Sequence, residues 1–252
     1  KHHLWFDERH HLKYGIYFRG SHDYEYKLIP PIGRQVRKEK GEVSTYYNES
    51  QERDFLGRFR RRSYYHLQRT LNIWEVMFLG RHFGLPTRLL DWTSGMYVAL
   101  YFACKGYKES EDYKDGAVWA LVRQPKEAYD LNPFYNPPAK EGRLARDFRF
   151  LIKGVKLIYP FHVSPRMTAQ ASIFTIQDKP KVPLEKYPYN EYQREDFDIF
   201  HIRKWKVPKD RKKAIIEELE DIGIDEQTLF PDFQGLAEGI EQIEKIRRQR
   251  HS

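Results

Sequence analysis

His82, Arg88 and Asp91 stand close together in LGRHFGLPTRLLDWTSGMYVALYFA, residues 79–103, between two apolar runs. Their spacings of six and three residues, with Pro86 fixing the chain between, do not match a metal pattern such as His-Glu-x-x-His. Two layouts are open. In one, Arg88 and Asp91 form a buried ion pair that braces a loop, a common architectural use of such pairs. In the other the loop lines a pocket. His82 then sits at a helix end as a switchable acid or base, Trp92 supplies a flat wall and Thr93 a hydroxyl.

Two further polar groups have chemical potential. Arg19 and Gly20 close the run YGIYFRG. A guanidinium presents five donors in a planar fork suited to phosphate or pyrophosphate, and a glycine lets a ligand approach the backbone. Arg34, in PPIGR, could add a second cation. Arg166 and Gln170 lie in SPRMTAQASIF, where Pro165 sets an extended entry and the amide of Gln170 can both donate and accept.

These groups need elements to hold them. The aromatic-rich run at 14–20 reads as a short strand ending at Gly20. Phe55, Phe59 and Leu67 recur at helical spacing among arginines, so 52–71 reads as a basic amphipathic helix. Asn72, with Glu75 three residues on, resembles a capping box before IWEVMFLGRHF, and Gly84 and Pro86 stop that helix. Thr93 or Ser94 could cap a helix through MYVALYFACKGY. DGAVWALV, GVKLIYPFHV, QASIFTIQ and DIFHIRKWKV are strand candidates. A helix is expected from about Asp210 to Gly223, followed by a short helix and a final amphipathic one. Residues 36–50 and 124–150 read as polar connections. The pattern predicts one α+β domain over 1–252, with a mixed or antiparallel sheet and inserted helices. The strand at 15–19 is expected to be central and near that at 168–176.

Composition narrows the classes. The chain is rich in aromatics, with 18 Tyr, 16 Phe and 5 Trp among 252 residues, which argues for a packed core. A net charge of +8 permits nucleic acid or other phosphates as partners, and part of it is local, in RFRRRSYYHLQR near residue 60. A single cysteine, Cys104, rules out an internal disulfide and favours a reducing, cytoplasmic setting. No apolar run is long enough to span a membrane. The acidic stretch KESEDYKDG reads as a solvated loop because no histidine or ligand spacing accompanies it. No metal site, Walker loop, dinucleotide glycine motif or serine elbow is found, and the lack of clustered acidic ligands disfavours a nuclease.

YFRG, HFGLPTRLLDWTSGMYVALYFA, DGAVWAL and RMTAQASIFTI, together with GIDEQTLFPDFQGLAEGI, resemble the FRG domain family over roughly residues 15–240. The family takes its name from the Phe-Arg-Gly that stands here as Phe18, Arg19 and Gly20. A fainter resemblance is to the ADP-ribosyltransferase layout: a strand carrying Arg, a polar loop, a helix ending ALYFA, then a strand preceded by a polar residue. That resemblance implies that Arg19 holds NAD as co-substrate. It also implies that Gly95, Met96 and Tyr97, with Tyr101, Phe102 and Ala103, lie beside a nicotinamide pocket. The catalytic Glu of such enzymes aligns here with Gln170, which carries no negative charge. Cleavage of the glycosidic bond passes through an oxocarbenium-like state that needs nearby negative charge or aligned dipoles, and Asp91 is the carboxylate available in the motif blocks.

The expected site therefore has Asp91, Gln170 and His82 as catalytic groups, and Arg19, Gly20, Arg88, Trp92, Thr93 and Arg166 as NAD contacts. The function implied by resemblance is an NAD-consuming effector or toxin in a bacterial conflict or phage-defence system. It would act on a protein or nucleic acid and be neutralised by a partner protein. The alternative is a nucleotide or nucleic-acid binding module without catalysis.

Overall fold

Runs of β-branched and aromatic residues, bounded by Gly, Pro and Asp, build a single six-stranded sheet. The computed structural model describes residues 15–36, 45–106, 114–124, 154–160, 164–187, 199–232, 235 and 237. In chain order the main strands are β1 (Gly15–Ser21), β4 (Leu89–Thr93), β5 (Gly116–Gln124), β6 (Val155–Ile158), β7 (Ser172–Gln177) and β8 (Ile199–Val207), while β2 (Gln35–Val36) and β3 (Thr45–Tyr46) form a separate ribbon. The sheet order is β6-β7-β4-β1-β5-β8 and each neighbouring pair is antiparallel. The fold is α+β, and β1 is an inner strand as expected. β4 lies between it and β7.

LLDWT is therefore not a loop. Leu89 to Thr93 pair residue by residue with Ile176 to Ser172 on β7. Toward β1 the pairing is far thinner. β1 runs alongside β5 over its whole length, yet meets β4 only at Phe18 opposite Thr93. Beyond that pair the two strands part, so the sheet is split near its centre.

Strand alternation sorts the core. One face carries Tyr17, Leu90, Trp92, Trp119, Leu121 and Ile173, and is covered by Leu28, Leu184 and Tyr187 from connecting segments. The other face carries two helical layers. α1 (Glu49–Leu67) and α2 (Ile73–His82) pack on β4, β6 and β7 through Leu56, Trp74, Phe78, Leu89, Phe174 and Ile176. α3 (Met96–Cys104) and α5 (Lys212–Asp221) pack on β1, β5 and β8 through Ala99, Tyr101, Val118, Val207 and Ile216. The layers part above the split between β1 and β4.

Local signals explain most element ends. The Asn72–Glu75 capping box is formed in both directions, at 3.0 and 2.8 Å, and Gly84 takes φ +84° just past α2. α1 has its own capping box from Asn48 and Gln51. Its buried residues are Glu52, Leu56 and Ser63, and Leu67 is exposed, so the inward stripe lies about one position from the one the aromatics suggested. α3 starts from Gly95 without a side-chain cap. Thr93 instead accepts a 3.0 Å bond from the Gly95 N–H. α6 (Glu226–Leu229) is the short helix expected after α5. The final amphipathic helix and the polar connection at 125–150 lie outside the described residues.

Gly20 has a packing role. A Cβ there would stand 1.9 Å from the Ala99 carbonyl oxygen and 2.6 Å from the Ala103 nitrogen. Gly116 meets the same helix, 2.4 Å from the Ala103 carbonyl. Two glycines on paired strands and two alanines on α3 let the helix lie directly on the sheet. The expectation that Gly20 is small to admit a ligand is corrected here, because its open side is filled by α3.

Arg88 is buried under α1 and donates to Glu52 through Nε at 3.0 Å and through Nη2 at 2.5 Å. It does not pair with Asp91. The extended chain of β4 separates the two by about 10 Å of backbone, whereas a loop would have let them meet. Glu52→Leu alone should leave a buried, uncompensated guanidinium and cost about 3–5 kcal/mol in urea denaturation. Adding Arg88→Met should recover a large part of that loss.

Candidate functional site

The parting of the helical layers leaves a cleft of about 320 Å³ over the split in the sheet. Its floor is the end of β1 and the middle of β4, with Arg19, Gly20, Asp91 and Thr93. One wall is the C-terminal end of α2, with Arg81, His82 and Gly84. The opposite wall joins Phe102 of α3, Arg166, Met167 and Gln170 at α4 (Pro165–Ala169), and Phe230. Among the residues expected as catalytic groups or NAD contacts, Arg88 alone is not part of this lining. Of the stretch expected beside a nicotinamide pocket only Phe102 reaches it, while Gly95, Met96, Tyr97, Tyr101 and Ala103 do not.

Asp91 is the centre of charge. Arg19 Nη1 donates to its carboxylate at 3.1 Å and to its backbone carbonyl at 2.7 Å. Arg81 Nη2 donates to the same carboxylate oxygen, Oδ2. Alternation sets Arg19 on the Tyr17 face and Asp91 on the Leu89 face. They meet because β1 and β4 diverge, and the guanidinium spans the opening. Burial alone would raise the Asp91 pKa, but the charges of Arg81 and Arg19 outweigh it and hold the carboxyl below its ordinary range. Asp91 is thus an anion held between two cations.

The positive groups exceed this one carboxylate. Arg81 Nε and Arg166 Nε are both buried and have no hydrogen-bond partner among the described residues. Arg166 lies 3.6 Å from Asp232 and 4.2 Å over the Phe230 ring. Buried donors are normally satisfied, so these two donors call for acceptors that the described residues do not supply. Arg34 lies near enough for its pKa to fall to about 10, through burial and then the charges of Arg19 and Arg81. It donates to the Ile29 carbonyl at 2.9 Å.

His82 lies on the α2 wall, where the helix end delivers it. Burial, then the charge of Arg166, lowers its pKa, so the imidazole is neutral at pH 7. Its ring meets Phe83 edge-on at 4.7 Å.

Three expectations change. Gln170 ends α4 and donates through Nε2 to the Leu229 carbonyl at 3.1 Å, which ties the two parts of the far wall. SPRMTA is a helical turn capped by Ser164 with Pro165 at its start, not an extended entry, and this puts Arg166 and Gln170, four apart, on one side. Trp92 is 2% exposed and its indole donates to Thr175 at 3.0 Å, so it belongs to the core. The accessible aromatic surface comes from Phe18 and Phe102, both partly exposed. Sequence reasoning missed Arg81 and Phe230, whereas Phe102 lines the cleft as the resemblance implied. Arg81 adjoins His82 in the last helical turn, so its place was readable once that helix end was assigned.

The family model of the FRG domain matches residues 15–112. This stretch is an FRG domain. Within it the Phe-Arg-Gly signature has a structural account. Phe18 holds the one pairing contact between β1 and β4, Arg19 bridges the split, and Gly20 admits α3. The FRG match ends before β5, so four of the six strands and the Arg166–Phe230 wall lie beyond it. No curated protein and no solved structure matches the chain. Among the described residues no group of His, Cys, Asp and Glu is placed to hold a metal ion, and no helix is long and apolar enough to cross a membrane.

Asp91→Asn should lower stability, because two guanidinium groups then face each other without an anion. The folded pKa of Asp91 is depressed, so its stabilisation is complete above the ordinary carboxyl value of 3.8 and is lost as pH falls through the lower folded value. Urea titrations at pH 7 and near pH 3 should show the wild type's advantage over Asp91→Asn shrinking at the acid end.

Proposed function

We propose that the cleft binds a nucleotide through its phosphates, with NAD as the co-substrate, and that the domain is an ADP-ribosyltransferase-like enzyme. One observation carries the binding: Arg19, Arg81 and Arg166 line one cleft against a single lining carboxylate, and the Nε donors of Arg81 and Arg166 have no partner among the described residues. A pyrophosphate supplies the acceptors these donors lack, in the planar geometry that guanidinium groups favour. Phe18 and Phe102 offer apolar surface for a base or the nicotinamide. The reaction class comes from the resemblance between the Arg-bearing first strand and GMY…YFA pattern and that of ADP-ribosyltransferases.

In such a reaction an acceptor oxygen or nitrogen, or water, attacks the anomeric carbon of the nicotinamide ribose. The bond to the nicotinamide nitrogen breaks, and that nitrogen keeps the electron pair and leaves as neutral nicotinamide. The acceptor's proton goes to a base, and His82 is neutral and unprotonated there at pH 7. Asp91 is the positioning residue for Arg19 and Arg81, and its charge is already spent on them. The effector or toxin setting and a neutralising partner protein belong to this proposal through the family resemblance. A reducing, cytoplasmic compartment accords with the lone Cys104, which is buried, with its thiol pushed up to about 12 by that burial.

A second reading, a nucleotide-binding module without turnover, is favoured by two observations. The lining carboxylate is neutralised by two arginines, and Gln170 is occupied by the Leu229 carbonyl.

Calorimetry with NAD tests the binding, and nicotinamide release tests the chemistry. Arg19→Ala should weaken NAD binding about ten- to a hundredfold, the loss of a charge-assisted contact. Unchanged affinity in a folded variant would refute the site. His82→Gln should retain binding and lose release, and wild-type release should decline as pH falls below the ordinary imidazole value of 6.5. Binding without release at any pH would establish the second reading.

A further inference from the structure

The exposed face of α1 carries a run of arginines that the cleft does not use. Arg58, Arg60, Arg61 and Arg62 are all exposed, and none of their guanidinium groups is in an ion pair or hydrogen bond among the described residues. At 3.6 residues per turn, Arg58, Arg61, Arg62 and Tyr65 share one face, opposite the buried Glu52, Leu56 and Ser63. Tyr65 is 79% exposed and Tyr64, beside it, 53%. The helix dipole favours cations near a C-terminus, which accounts for the sign of one or two of these groups. It does not account for Arg58 in mid-helix, nor for four guanidinium groups unpaired among the described residues next to two exposed phenol rings, of which Tyr65 meets His66 edge-on. A face that serves only for solubility intersperses both signs. Here the acidic residues fall in the first two turns, at Glu49, Glu52 and Asp54, and Asp54, one turn before Arg58, is the acidic residue in line with the arginine face.

We infer that this face binds single-stranded nucleic acid. The arginines contact successive phosphates, and Tyr65, with Tyr64 at its flank, offers a ring on which a base stacks. Exposed arginines along about 6 Å of helix, with aromatic rings in the next turn, combine the two components of sequence-tolerant strand binding: backbone charge neutralisation and base stacking. The rigid seat comes from the Arg88–Glu52 pair and the capping box, which fix α1 on the sheet and hold its outer face steady. The proposal is independent of what the cleft binds.

The test is fluorescence anisotropy with a labelled mixed-sequence 20-nucleotide single strand, as RNA and as DNA, over a range of salt. Wild type should bind, with affinity falling linearly in logarithmic salt. The triple variant Arg58→Gln/Arg61→Gln/Arg62→Gln should bind more weakly, and its salt slope should be smaller by about 2, since each single-strand phosphate contact contributes about 0.7. Tyr65→Ala should weaken binding about five- to a hundredfold with the slope unchanged. The control Lys209→Gln/Arg211→Gln/Lys213→Gln removes the same charge beside and on α5. It should bind as wild type. Thermal denaturation of each variant confirms the fold, and these positions are exposed. The inference is overturned if neither oligonucleotide binds at low salt, or if the α5 control loses as much affinity as the α1 variant. It is also overturned if anionic vesicles or polyglutamate bind this face as tightly as the oligonucleotide with the same dependence on the arginines.

Discussion

The arrangement turns on a row of three charges, Arg19, Asp91 and Arg81, set across a break in the sheet. Adjacent strands normally satisfy each other's carbonyls. β4 loses that support once it diverges from β1, and the Arg19 guanidinium takes over by accepting the role of donor to the Asp91 carbonyl. The carboxylate then orients both arginines and cancels part of their repulsion. Without that clamp the two helical layers would have a weak seam where they part. With it, the seam is an open cleft with a fixed floor.

The same clamp decides what chemistry the floor can support. A carboxylate that works as a base or stabilises a cation must have negative charge to offer. Asp91 has two cations against it and a depressed pKa, so its field is directed inward. What remains in the cleft lining beyond that carboxylate is positive, from Arg81 and Arg166, with Arg34 nearby. The site is therefore better suited to hold an anion than to create one. His82 stands on its wall, with its pKa lowered by burial and by the charge of Arg166.

Features set by neighbours in sequence were legible, and those set by distant partners were not. The capping box at Asn72, the stop at Gly84 and the strand at Gly15–Ser21 depend on residues within a few positions. Arg19, His82, Asp91, Thr93, Arg166 and Gln170 do share one cleft, as their types suggested. Arg88 was misread because its partner, Glu52, lies 36 residues upstream, whereas Asp91 is three residues away and draws attention. LLDWT looked like a loop because a carboxylate interrupts its apolar run. The interruption marks the point where the strand loses a neighbour. The helical turn at Pro165 was signalled by Ser164 before it, a cap-and-proline start that an extended reading passed over.

The inner position of β1 has a consequence for how the chain reaches this state. β1 is the first described strand to be made, but its continuous partner, β5, begins at Gly116. At about 5–20 residues per second, a ribosome needs on the order of 5–20 s to deliver that partner. During this interval β1 has no full-length neighbour on either side, because β4 offers it one residue pair. Contacts so remote in sequence also slow folding once the chain is complete. The nascent strand therefore presents two unpaired edges, with Tyr17 and Phe18 on opposite faces, and this is the stage at which a chain of this topology is most open to capture by a chaperone or by another copy of itself.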